Sequence, residues 1–407
     1  MKRLRDFFIS ICLVVLNSLT ASAQAPAANN TAQPAATDSI AISMLTCSPG
    51  NEVWSLYGHT AIRFQIPSQG VDLAINYGMF NFSQKNFVLR FVFGLTDYEM
   101  GIVSFGLFLS EYAHQGRGVT EQHLNLSEKE KKAIAAALSR NYEPENRVYR
   151  YNYFYDNCTT RARDILLDNL DGKVVYAANK NTSPSYRQMI HQWNDAHRWA
   201  RMGNDLLLGI KADAPTNRAQ QQFLPDTLRS DFSHAIVVTA QGERHPLVDT
   251  TFAVLQPYSD ESSTNTDVWD ALSPRIVFGI FAVALLIVAL FEAKHKKTLW
   301  AIDAILLTAD GLAGLVLLAM VFSQHPTVNA NLQILLLNPL SILFVYPAVR
   351  QRVKHLCHWY WKAYLACLVL FLIGNFFQDY AEGMNILALT LMMRCWINIK
   401  TLSPKGK

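Results

Sequence analysis

Short stretches in which apolar and polar positions alternate fill the first two thirds of the chain, and past Pro274 they give way to long apolar runs. Ile40 to Leu45, Thr60 to Phe64 and Val71 to Tyr77 are rich in branched and aromatic residues and are bounded by Gly, Pro or Asn, which predicts strands. Ser127 to Arg140 predicts a helix, with Ser127 as its cap and Glu128 and Glu130 near its positive end. A second helix should open at Asn157-Cys158, because Arg161, Ala162, Ile165 and Leu166 recur at helical spacing. Strands return near Ala235 to Thr239 and Thr251 to Leu255. The segment Phe87 to Leu109 reads as core helices, as an apolar wall of a site, or as a segment that dips into a membrane surface. The order is mixed α+β, without internal repeats.

The two ends of the chain change the picture. Met1-Lys2-Arg3-Leu4-Arg5, an apolar run from Phe7 to Leu19 and Ala21-Ser22-Ala23-Gln24 together read as a cleavable secretory signal. No lipobox cysteine follows it, and Gln24 to Thr37 has a composition that cannot bury a core. At the other end, apolar stretches near 276–291, 299–322, 332–349, 356–377 and 386–397 approach the roughly 20 residues that a bilayer needs. Basic residues follow the first, third and fifth of these (Lys294 to Lys297, Arg350 to Lys354, and Lys400, Lys405 and Lys407), whereas the intervening loops lack Lys and Arg. That asymmetry predicts about five spans with the N-terminal domain outside the cytoplasm. The resulting division is 1–23 signal peptide, 24–37 flexible linker, 38–230 domain outside the cytoplasm, 231–273 β-rich extension and linker, and 274–407 all-α membrane domain.

Composition adds exclusions. A formal charge of +4, with no basic stripe interleaved with aromatics, gives no indication of nucleic acid. Six cysteines without a CxxC pair indicate neither a zinc cluster nor a redox motif, and no metal or cofactor is expected. Only Cys47 and Cys158 fall in the expected soluble domain.

Cys158 lies in Tyr155-Asp156-Asn157-Cys158-Thr159-Thr160-Arg161, and His59 lies on a strand in Tyr57-Gly58-His59-Thr60-Ala61-Ile62-Arg63. A thiol at the first turn of a helix faces free backbone N–H groups and the positive end of the helix dipole, which favours thiolate. A strand histidine can then exchange the proton, and the same N–H groups can stabilise an oxyanion. Asp156 opposes this activation unless it points outward. Two plainer readings stand beside it: a small buried cysteine, or a Cys47–Cys158 disulfide in an oxidising compartment. Arg161 can contact a phosphate or form an ion pair with a neighbouring acid. Asp303 and Asp310 share one face of the second span, where carboxylates are costly and usually functional. They suit a polar seam against Asn338.

The order of histidine strand first and cysteine helix later resembles the circularly permuted branch of the NlpC/P60 papain-like superfamily, which includes the lecithin retinol acyltransferase group. That resemblance implies a permuted papain-like periplasmic domain and a third polar residue on the following strand, best matched by Asn76. More closely, Leu45 to Gly50, Tyr57 to Arg63, Asn76-Tyr77-Gly78, Asp156 to Arg161, Asp205 to Gly209 with Asp213, His325 to Asn331 and Asn338-Pro339 resemble the Bacteroidota Lnb-type lipoprotein N-acyltransferases. The implied activity is transfer of a fatty acyl chain from a phospholipid, through a Cys158 thioester, to the α-amino group of a diacylglyceryl-cysteine lipoprotein. Cys158, His59 and Asn76 are the implied catalytic residues, with Tyr57, Asn157, Arg161 and His325 as substrate contacts. The implied location is the inner membrane, multi-pass, with the catalytic domain in the periplasm. A peptidoglycan peptidase or amidase is the alternative, and an inactive membrane receptor a third reading.

Overall fold

The computed structural model describes residues 39–80, 85–177, 182–258 and 272–400. The expected signal peptide, the linker, Lys405 and Lys407 lie outside the described residues. The N-terminal half runs β1 (Ala41–Cys47), β2 (His59–Ile66), β3 (Val71–Met79), α1 (Phe87–Val92), β4 (Asp97–Ser104), α2 (Phe105–His114), β5 (Val119–Leu124), α3 (Glu128–Tyr142), β6 (Val148–Arg150) and α4 (Cys158–Leu167). There follow β7 (Gly172–Val175), α5 (Tyr186–Asn194), α6 (Arg198–Leu207), α7 (Arg218–Gln221), α8 (Pro225–Ser233), β8 (Ile236–Thr239), β9 (Arg244–Pro246) and β10 (Val248–Leu255). The helical part comprises α9 (Pro274–His295), α10 (Trp300–Val321), α11 (Leu340–Val353), α12 (Tyr360–Gly374) and α13 (Met384–Lys400). The fold is α+β, a sheet-rich N-terminal domain followed by a helical region.

Seven strands form one antiparallel sheet in the order β10-β5-β1-β2-β3-β4-β6, and β7, β8 and β9 form a smaller one. The strands expected near Ala235 to Thr239 and Thr251 to Leu255 are β8 and β10, and β10 belongs to the larger sheet. Side chains alternate between faces along a strand. On β2, Ala61 joins the core of Leu45, Cys47 and Ala74 with Phe105, Phe108 and Tyr112 of α2, whereas Thr60 meets Thr159 of α4 through their hydroxyls at 3.1 Å. The helices α2 and α4 therefore cover opposite faces. The segment Phe87 to Leu109, read as helical, contains β4, whose alternating burial places it between β3 and β6.

In the helical region five helices occupy the five expected stretches, but among the described residues three segments have the length and apolarity of a span: Pro274–His295, Trp300–Val321 and Leu332–Val353. The shorter α12 is apolar, and the third segment is broken ahead of α11 at Asn338-Pro339. Buried charge holds the bundle together. Arg394 of α13 pairs with Glu292 and Asp303 at 2.7 Å each. Asp310 accepts bonds from Ser341 Oγ at 2.5 Å and the Asn338 amide at 3.2 Å, so the seam expected on this face of α10 does reach Asn338.

The two parts are joined through main-chain and side-chain bonds. Gly209 N–H donates to Thr327 O at 2.8 Å, and Ile210 N–H donates to Ala330 O at 2.9 Å. Asn331 and Gln378 donate to Leu206 O and Leu208 O, and Arg198 pairs with Glu382 at 2.8 Å. A side-chain carbon on Gly209 would lie 2.3 Å from Ala330 O, so only glycine permits this approach.

Candidate active site

Cys158 is the first residue of α4, and Asn157 caps that helix. Asn157 Oδ1 accepts from the amides of Thr159 and Thr160 at 2.9 Å, while Thr160 Oγ1 accepts from the Asn157 amide at 2.9 Å. The Asn157 Nδ2 group donates to Tyr153 O and Phe223 O, both at 3.0 Å. Every polar atom of this side chain is thus committed to shaping the turn, and Asn157 positions the thiol instead of contacting substrate. The cap also takes two of the N–H groups expected to stabilise an oxyanion, which leaves the Cys158 amide as the donor at the helix end.

His59 opens β2 and Asn76 lies on β3, where it faces Ala61. His59 Nε2–H donates to Asn76 Oδ1 at 3.0 Å, which leaves Nδ1 for the thiol. The thiol and imidazole lie within electrostatic reach of each other, and the Thr159 hydroxyl is 3.8 Å from the sulfur. Burial works to raise the Cys158 thiol pKa, but the charge and hydrogen bond of His59, with the Thr60 amide and the Thr159 hydroxyl, outweigh it and bring it down to about 7. Burial works to lower the His59 pKa, yet the facing thiolate and the bond to Asn76 raise it above its ordinary value. Both shifts favour a thiolate–imidazolium pair. Gly78, two residues beyond Asn76, has φ +85° and lies against this pair, where a side-chain carbon would be 3.9 Å from Cys158 Cβ. The three residues expected to be catalytic are therefore adjacent.

Asp156, which threatened to oppose the thiolate, is turned outward: Arg161 binds it through two bonds at 2.6 and 2.7 Å. The Arg161 guanidinium also stacks 3.6 Å from the centre of the Tyr149 ring. Of the two readings of Arg161, the structure contains the ion pair. Tyr57, expected to contact substrate, directs its hydroxyl to Asn194 and Asn204 at 3.2 and 2.8 Å, within the packing between the β1–β2 loop and α5 and α6. His325, expected to contact substrate, is only 3% exposed. It bonds Phe91 O at 3.2 Å and packs on the Tyr153 ring, and Tyr153 in turn meets Thr327. The membrane-side loop thus braces the turn that carries Cys158. Cys47 and Cys158 are both free thiols. Burial pushes the Cys47 thiol up to about 12 despite its bond to Tyr112, which makes it a poor nucleophile.

The motif reading did not single out two further groups. One is the Thr60 amide, which follows His59 on the same strand and works to lower the Cys158 thiol pKa. The Tyr149 hydroxyl is buried, has no hydrogen-bond partner, and lies beside Gly78 at the thiol, where a Gly78 side-chain carbon would be 3.9 Å from it. A tyrosine whose hydroxyl is orphaned cannot be told from any other core aromatic in a linear sequence.

Residues 27–192 match the family description Lnb N-terminal periplasmic domain, and residues 264–405 match Lnb transmembrane domain. The chain belongs to the Lnb family. No curated protein and no solved structure matches it. The first match contains His59, Asn76 and Cys158, and the second contains all five helices of the bundle, so this Lnb chain is a membrane protein with a periplasmic-type domain.

Proposed function

We propose that this Lnb-family protein is a thiol-dependent lipoprotein N-acyltransferase, a multi-pass protein of the bacterial inner membrane whose catalytic domain faces the periplasm. The observation that carries this reading is the Cys158–His59–Asn76 array, poised as a thiolate–imidazolium pair at a helix N-terminus in a domain seated on membrane helices. The strand-histidine, helix-cysteine order also supports a permuted papain-like ancestry for the domain.

In this mechanism the Cys158 thiolate attacks the ester carbonyl of a phospholipid acyl chain. The Cys158 amide and the Tyr149 hydroxyl receive the developing oxyanion. Collapse breaks the C–O bond, and the His59 imidazolium protonates the departing lysophospholipid alkoxide. The acyl chain remains on Cys158 as a thioester. The α-amine of a diacylglyceryl-cysteine then attacks it, His59 removes the amine proton, and the C–S bond breaks to regenerate the thiolate. Asn76 holds the imidazole in the tautomer that both half-reactions need.

The test is mass spectrometry of lipoprotein N-terminal peptides from cells lacking the protein, complemented with wild type or Cys158→Ser. The expected result is triacylated peptides with wild type and free α-amines with an expressed, membrane-localised mutant. Equal N-acylation in all strains, together with altered cell-wall fragments, would point instead to a peptidoglycan peptidase.

A further inference from the structure

Arg117 lies in the tight Gly116-Arg117-Gly118 connection between α2 and β5, at the end of the sheet where Cys47 pairs with both Val119 and His59. It is 9% exposed. Its guanidinium donates from Nε to Ser48 O and from Nη1 to Gln115 Oε1, each at 2.9 Å, and lies over the Tyr112 ring. Its Nη2 is buried without a partner. The nearest acid in this chain of contacts, Glu111, binds Gln115 and not Arg117. The other two arginines near the site are paired, Arg63 with Asp72 and Glu121 and Arg161 with Asp156. Among the described residues Arg117 alone of the three brings a buried positive charge to this end of the sheet without an anionic partner. Buried charges are costly unless paired, so the arrangement is incomplete until an anion arrives.

What covers Arg117 indicates which anion. The β1–β2 loop packs directly on it, because a side-chain carbon on Gly50 would lie 2.6 Å from Ser55 Oγ and 3.1 Å from Arg117 Cδ. The same loop exposes Val53 and, at 64%, Trp54, before running into His59. An anion bound here would therefore sit beside an apolar rim and next to the catalytic histidine. A phospholipid offers that combination, with a singly charged phosphodiester a few bonds from the ester to be cleaved. Arg117 is also near enough that its charge pushes the His59 pKa down, so an anion placed on it lies within electrostatic reach of the acid that protonates the leaving group.

Resting on the acyl-transfer reading, we propose that Arg117 binds the phosphodiester of the acyl-donor glycerophospholipid beneath the 48–57 loop and thereby fixes which ester faces Cys158.

The test measures binding to the full-length Cys158→Ser protein in detergent, with three probes: a lysophospholipid, a monoacylglycerol of the same chain length, and the soluble glycerophosphodiester without an acyl chain. Arg117→Gln should weaken lysophospholipid binding at least tenfold and leave monoacylglycerol unchanged, with Arg117→Lys recovering part of the loss. Equal weakening of both acylated probes, or of neither, would overturn the proposal, and Arg117→Lys carries the comparison if Arg117→Gln fails to fold. Tight binding of the soluble diester, matching the lysophospholipid, would make this a free-phosphate site and overturn the lipid assignment. Thioester formation on wild-type Cys158 with intact phospholipid is followed separately, since its absence would remove the acyl-transfer reading while the binding comparison still decides the role of Arg117.

Discussion

The reactivity of Cys158 is set by a contest between burial and His59, and pH resolves it. A thiol brought down to about 7 is protonated below that value and ionised above it, so its alkylation by iodoacetamide should rise through pH 7 and then level off. In His59→Ala the burial that acts upward remains while the lowering partner is gone. The midpoint should move to 9 or above, and the rate at pH 7 should fall about 50-fold, in proportion to the thiolate fraction. Tyr149→Phe probes a different step. Under the proposed activity, removing the Tyr149 hydroxyl as an oxyanion donor should slow thioester formation about 100-fold while leaving the alkylation profile in place, and an unchanged acylation rate would exclude the hydroxyl from the reaction. Cys158, His59 and Asn76 were legible from residue type, order and family likeness. Arg117 and Tyr149 were not, because what singles them out is a missing partner, and that is a property of three dimensions. Asn157 was misjudged although its signal was in the sequence: an asparagine immediately before a helix is first of all a cap.

At the scale of elements, α4 is the part on which the site depends. Its capping box and the two bonds from Asn157 to backbone carbonyls of separate segments fix where the first turn begins. Asn157→Ala should cost about 2 kcal/mol in chemical denaturation, cap and orphaned carbonyls together. It should also raise the midpoint of Cys158 alkylation as the first turn frays. Asn157→Ser, which restores an acceptor but not the two donors, should recover only part of both. The helices at Ser127 and Asn157 and the strands of the sheet centre could be read in advance, since their apolar periodicity and caps are local. β4 could not, because it lies inside an apolar stretch between two helices and is defined only by its pairing with β3 and β6. For the same reason β10 was read as an appendage, although it completes the sheet through β5.

Across the whole molecule, the periplasmic-type domain is held to the helical region at several points, of which Gly209 is the tightest. Gly209→Ala places a carbon where Ala330 O already lies, so the junction must open. Hydrogen exchange at the Gly209 and Ile210 amides should speed up. Under the proposed activity, turnover of bilayer phospholipid should fall further than turnover of a detergent-dispersed donor, because the thiol itself is untouched. Equal loss with both donors would mean that the junction shapes the site directly. Loop charge and hydropathy marked where the helices fall, but nothing in them foretold that the break at Asn338-Pro339 would turn one stretch into a short 3-10 turn followed by α11, since that depends on the bond from Asn338 to Asp310.

The bonds of Gly209 and Ile210 to Thr327 and Ala330 use only amide and carbonyl groups, which every residue except proline supplies. These two contacts are therefore insulated from side-chain change, whereas those made by Asn331, Gln378 and the Arg198–Glu382 pair are not. The side chain at 330 can therefore change without touching these bonds, whereas the Thr327 hydroxyl also holds Tyr153 and Gly209 leaves no room for a side-chain carbon.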